Sequence, residues 1–130
     1  MMRCWILTGI SRRVIDDIIS GYTRTIELRS AHNVSIAMKA EVGDCVLLTP
    51  ARFYELDRGI VGLIAEVVGK EVHSHSIVFA KEGFVEESEM TAVRLKLKPR
   101  GIGRVVAVKK KELLGEVEGE VVQIEYFSAR

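Results

Sequence analysis

Arg94, Lys96, Lys98 and Arg100 sit at every second position along residues 91–100, with Val93, Leu95 and Leu97 between them. Alternate side chains of a strand share one face at a spacing of about 7 Å, comparable to that of phosphates along a nucleic-acid strand. The pattern predicts a strand with one buried face and one wet, basic face able to follow a polyanion. Arg104 and Lys109, Lys110 and Lys111 prolong it. A solvated face balanced by Glu86, Glu87, Glu89 and Glu112 is an equally good account of the same ladder.

A second group lies at residues 24–33. Arg24, Glu27 and Arg29 place two guanidiniums around a carboxylate, either as a planar anion clamp or as a surface ion-pair lattice. His32 and Asn33 follow, and with Trp5 and Arg29 they are the candidate lining of a base-sized pocket. Trp5 is the sole tryptophan. Its flat indole can stack on a base, a contact worth about 1–3 kcal/mol, but an indole in an apolar run serves core packing just as well. His73 and His75 share one side of a strand, yet no third ligand is signalled and no metal is expected. There is no GxSxG elbow, no base beside either cysteine and no Gly-rich phosphate loop, so no catalytic residue and no cofactor is assigned.

Several strands must position these groups. Residues 3–9 hold Trp5-Ile6-Leu7 and read as a buried first strand closed by Gly9. Ser11 is a good N-cap for a helix over 12–20, with Val14, Ile15, Ile18 and Ile19 on one face and Gly21 as its stop. Residues 22–29 suit a strand or an extended loop, and 30–41 show no clean period. Val42-Gly43-Asp44 turns the chain into the apolar strand Cys45-Val46-Leu47-Leu48, which stops near Pro50. Residues 59–68 are expected to be the longest core strand, bent at Gly62. Residues 72–80 fit strand or helix; 105–114 begin β-branched and end Lys-rich; 120–127 close the chain as a last strand.

The bulk composition frames the rest. A chain of 130 residues, 48% hydrophobic and 28% charged, is expected to form one domain with one core. The net charge of +1 makes the placement of charges, not their sum, decide any affinity for nucleic acid. Cys4 and Cys45 each lie in an apolar run and read as free buried thiols, without a disulfide or a CxxC zinc site. No signal peptide or membrane-spanning stretch is evident, which makes the cytoplasm the default location. Asn33 and Gln123 are the only carboxamide side chains, a bias seen in proteins from hot environments.

Taken in order, Cys4-Trp5-Ile6-Leu7, residues 42–48, residues 59–68 and Val93-Arg94-Leu95-Lys96-Leu97-Lys98-Pro99 resemble the EVE family of PUA-like domains. The resemblance implies an α+β fold, a mixed β-barrel with one or two short helices, that binds RNA or holds a modified base in a pocket. This sequence has Arg13-Val14 where the family has Asn-Trp. The sister ASCH family is approximated by Gly21 and Arg24-x-x-Glu27-x-Arg29, with arginine in place of its signature lysine, and would imply a small hydrolase or ribonuclease. Arg24 stays protonated and is no general base, so the binding module is the favoured expectation. RNA or a modified nucleotide is then the expected partner, a membrane is not, and homodimerisation through an exposed strand is left open.

Overall fold

Met2–Leu7 forms the first strand, β1, with Cys4, Ile6 and Leu7 buried, in a computed structural model that describes residues 1–111 and 116–127. Its exit is tied to the strand Cys45–Leu48, β3: the Thr49 N–H donates to the Leu7 carbonyl, and Ile10 donates back to Thr49. The two strands run parallel, Trp5 opposite Val46 and Leu7 opposite Leu48. Parallel neighbours need a long crossover. Residues 8–44 supply it as helix α1 (Arg12–Ile19), strand β2 (Thr25–Leu28) and helix α2 (Ala31–Lys39).

α1 follows its sequence pattern. Ser11 accepts the Val14 N–H, Ile15 and Ile18 are buried, and Gly21 beyond the helix takes a φ of 81°. α2 is the element that the sequence conceals. Ser30 caps it by accepting the Asn33 N–H, but only Asn33, Ile36 and Ala37 are buried, a strip too narrow to print a helical period. Its last turn is held from outside: Lys70 Nζ donates to the carbonyls of Ala37 (3.3 Å), Met38 (3.0 Å) and Ala40 (2.7 Å). An ammonium suits the negative end of a helix, where carbonyls lack partners.

The remaining strands are β4 (Val61–Lys81), β5 (Phe84–Lys111) and β6 (Glu116–Tyr126). β5, not the 59–68 run, is the longest, and residues 72–80 are strand throughout. The Lys-rich end of 105–114 is strand as far as Lys111, while Glu112 and Leu114 lie outside the described residues. The six strands among the described residues join one sheet in the order β2-β5-β4-β3-β1-β6, and a further β5–β6 pairing closes five of them into a ring. The α+β class holds, with sheet dominant. No described helix is long and apolar enough to cross a membrane.

Two apolar clusters pack against these strands. Leu7, Val46, Leu48, Leu63, Val67 and Leu95 meet Ile15, Ile18 and Ile36 of the helices. Cys4, Ile6, Leu47, Ile64, Val105 and Val121 form the other. Alternate residues of β1 and β3 feed opposite clusters, as a period of two requires. The second cluster is tight at its glycines: a Cβ on Gly103 would lie 2.5 Å from Val121 Cγ1, and one on Gly119 would lie 2.6 Å from Ile6 Cδ1.

Cys4 and Cys45 correct the sequence reading. They form a disulfide, because the parallel register of β1 and β3 sets them side by side with Cα atoms 4.7 Å apart. A separation of 41 residues hid that adjacency. A cross-link closing a loop of this length restricts the unfolded chain by about 4 kcal/mol in the chain-entropy account. Reduction is expected to lower the unfolding free energy by about 2–4 kcal/mol, read as a lower denaturant midpoint. The double variant Cys4→Ser/Cys45→Ser should match the reduced protein and ignore reductant; an equal midpoint for oxidised and reduced protein would remove the bond's role.

Candidate nucleic-acid interface

β5 exposes Arg94, Lys96, Lys98 and Arg100 and buries Val93, Leu95 and Leu97, as the alternation requires. β2 lies antiparallel beside it, Thr25 opposite Lys96 and Glu27 opposite Arg94, with Ile26 and Leu28 turned into the core. This register gathers the two groups of candidate residues onto one surface. Glu27 bridges two guanidiniums: Arg94 Nε donates to Oε1 at 3.0 Å and Arg29 Nε to Oε2 at 2.6 Å. These hydrogen bonds, Arg94's first, hold the Glu27 carboxyl below its ordinary 4.5. The clamp read from sequence therefore exists with Arg94 in place of Arg24.

At the far end of the ladder Arg100 Nη2 donates to Glu66 Oε1 at 2.6 Å. Glu66 faces Lys98 in register, and Glu71 faces Arg94. Six cations, Arg24, Arg29, Arg94, Lys96, Lys98 and Arg100, thus share this surface with three carboxylates. Among the described residues, no ion pair engages Arg24, Lys96 or Lys98. Arg104 is exposed further along β5, opposite Val61, and Lys109 lies opposite Glu118. Glu86, Glu87 and Glu89 stand away from the ladder, on the outer reach of the β4–β5 hairpin.

A cleft lies at each end of the ladder. One, of about 400 Å³, is lined by Arg24, Lys98, Arg100, Tyr126 and Phe127 together with the end of α1. The Phe127 N–H donates to the Arg100 carbonyl at 3.0 Å, which fixes the end of the last strand beside the ladder, and Tyr126 is 76% exposed. The other, of about 370 Å³, is lined by Glu27, Arg29, His32, Asn33, Arg52 and Phe53. There the His32 ring stacks on Phe53, centroids 4.3 Å apart and planes 7° apart. His32 is a half-buried residue of the first turn of α2. Sequence reasoning missed Arg52, Phe53, Tyr126 and Phe127. Phe53 opens a 3-10 turn, Phe53–Glu55, with no periodic context, and Tyr126 ends a strand whose apolar alternation reads as core.

Two candidates have structural duties. Trp5 packs against the first core cluster, its Nε1 donates to Asp44 Oδ2 at 3.3 Å, and it lines neither cleft. The same Asp44 oxygen accepts the Glu41 N–H at 2.9 Å, so the indole steadies the turn into β3. Asn33 lines the second cleft, but its carboxamide spans Thr8: Oδ1 accepts the Thr8 N–H at 3.1 Å and Nδ2 donates to the Thr8 carbonyl at 2.8 Å. It replaces a neighbouring strand for that residue. His73 and His75 lie on the hairpin with rings 6.5 Å apart, and His73 meets Glu71 at 3.1 Å. Among the described residues no trio of His, Cys, Asp and Glu could hold a metal ion.

Two outcomes follow. Asn33→Ala strips both partners from the buried Thr8 backbone and should cost about 2–3 kcal/mol in denaturant unfolding. Because the folded state lowers the Glu27 pKa, its stabilising contribution is fully present above the unfolded value near 4.5 and is lost as pH falls through the folded one. The stability difference between the wild type and Glu27→Gln should accordingly shrink on acidification through that window; a difference independent of pH would mean the charge contributes nothing.

Residues 2–119 match a family described as "Protein of unknown function (DUF473)". The "Uncharacterized protein MJ0105" of Methanocaldococcus jannaschii is 27% identical over 106 residues, which cover 82% of this chain and 66% of that protein. No solved structure matches. With the family match running from the start of β1 into β6, the chain belongs to the DUF473 family.

Proposed function

We propose that this protein binds single-stranded RNA along the β2–β5 face. The observation that carries the reading is that Lys96 and, in the lining of the first cleft, Arg24 and Lys98 carry no ion pair among the described residues, on a face with a cleft containing aromatic rings at each end. Cations at strand spacing suit phosphates, and the rings of Tyr126 or of the His32–Phe53 stack suit bases. The second cleft, with Arg29 and Arg52 beside that stack, is the place for a modified base. A ring of strands with two short helices is compatible with a PUA-like barrel of the EVE type and supports the same reading. The hydrolase alternative is weaker. Both oxygens of Glu27 are occupied by guanidiniums that stabilise its charge, which suits an anchoring role better than proton transfer near neutrality.

Anisotropy of a labelled single-stranded RNA across a salt series tests this. Three phosphate contacts contribute about 2 to the slope of log affinity against log salt, so Arg24→Ala/Lys96→Ala/Lys98→Ala should flatten it by about that much and weaken binding at least tenfold. Tyr126→Ala should cost about 1–3 kcal/mol of affinity and leave the slope unchanged. Unaltered affinity and slope in the triple variant would sink the proposal.

A further inference from the structure

The β4–β5 hairpin outruns the ring. β3 covers the edge of β4 from Leu63 to Glu66, Asp44 covers Val67, and Lys70 ties the next stretch to the end of α2. β2 covers β5 only from Val93 to Lys96. Beyond these points residues 73–81 and 84–92 pair, among the described residues, with each other alone. The result is a two-stranded arm of about 30 Å. Its described side chains are largely exposed on both faces, Val78 at 62% and Val85 at 71%. An isolated two-stranded ribbon is marginal in water and gains from further strands.

The two edges of this arm differ. The β5 edge carries Glu86, Glu87 and Glu89, the charges with which proteins discourage strand addition. The β4 edge, from Val72 to Ala80, has no Asp, Glu, Lys, Arg or Pro in nine residues and is rich in β-branched and aromatic types. It opens at Glu71 and closes at Lys81, an acid and a base equally distant from Ser76. Two such edges related by a two-fold axis at Ser76 place each Glu71 opposite the Lys81 of the other copy. Both residues are exposed, and both occupy the same face of the strand because they are ten positions apart.

We infer that this edge binds a second copy of the chain. β4 pairs antiparallel with its counterpart about Ser76, and two arms become one four-stranded sheet with the glutamate-bearing β5 edges outermost. The contact is isologous and closed, so assembly stops at two. It leaves the ladder and both clefts unused, so it stands apart from the RNA reading.

Sedimentation equilibrium on the full chain tests the inference. The wild type should have twice the monomer mass. Ser76→Lys brings two lysines together at the axis and should give monomers. Its fold should persist by circular dichroism, because Ser76 faces Glu89 within its own arm and a lysine there gains a partner. Lys81→Glu should raise the dimer dissociation constant about tenfold, as expected when two symmetric exposed pairs turn repulsive, and adding Glu71→Lys should restore it. A monomeric wild type, open-ended oligomers, a dimer indifferent to Ser76→Lys, or a double reversal that restores nothing would each overturn the inference.

Discussion

The parallel pairing of β1 with β3 is the constraint on which the molecule turns. Two parallel strands cannot be joined by a tight turn, so 37 residues form the crossover between them, and those residues hold α1, β2 and α2. Every group in the His32–Phe53 cleft except Arg52 and Phe53 sits on that crossover. The crossover is fastened at three places: the Cys4–Cys45 bond joins its two anchoring strands, Asn33 clasps Thr8 at its start, and Trp5 with Asp44 braces its return. Lys70 adds a fastening from β4 to the end of α2. The cleft wall is therefore held by hydrogen bonds to the same strands that build the core.

Charge is segregated on this framework although the chain as a whole is nearly neutral. β5 is acidic where it leaves the ring and basic where it crosses it, so one strand carries both signs in separate blocks. β2 alters the basic block by lending Glu27 to Arg94 and Arg29, while Glu66 takes Arg100. Among the described residues, Lys96 and Lys98 in the middle of the ladder carry no ion pair. Pairing at its ends fixes two guanidiniums in place without cancelling their remaining N–H groups.

What could be read from the sequence was what local periodicity encodes. The ladder emerged because Val93, Leu95 and Leu97 alternate with cations, and α1 emerged because its isoleucines recur at helical spacing behind a serine cap. α2 did not, since its buried strip is Asn33, Ile36 and Ala37, and a buried asparagine reads as polar. Residues 72–80 were ambiguous because the described side chains of this ribbon are largely exposed on both sides, so no buried face prints a period. The disulfide and the stack of His32 on Phe53 depend on neighbours brought together by the crossover, and no spacing along the chain records them. Trp5 was left between base stacking and core packing for the converse reason: its type suits both, and only its neighbours reveal a brace.

Gly103 and Gly119 lie where strands pass closest to large core side chains, and neither has a left-handed φ. They are required for room, not for a turn. Gly62 and Gly101 are in the same position, since a Cβ there would strike the carbonyls of Leu48 and Glu125. A relative that keeps this ring must keep a hydrogen atom at Gly62 and Gly101 however far its other residues drift, and at Gly103 and Gly119 unless Ile6, Ile64 and Val121 shrink in step. Four unremarkable glycines in mid-strand thus make a signature for distant kinship, one that composition-weighted comparison discounts and steric reasoning does not.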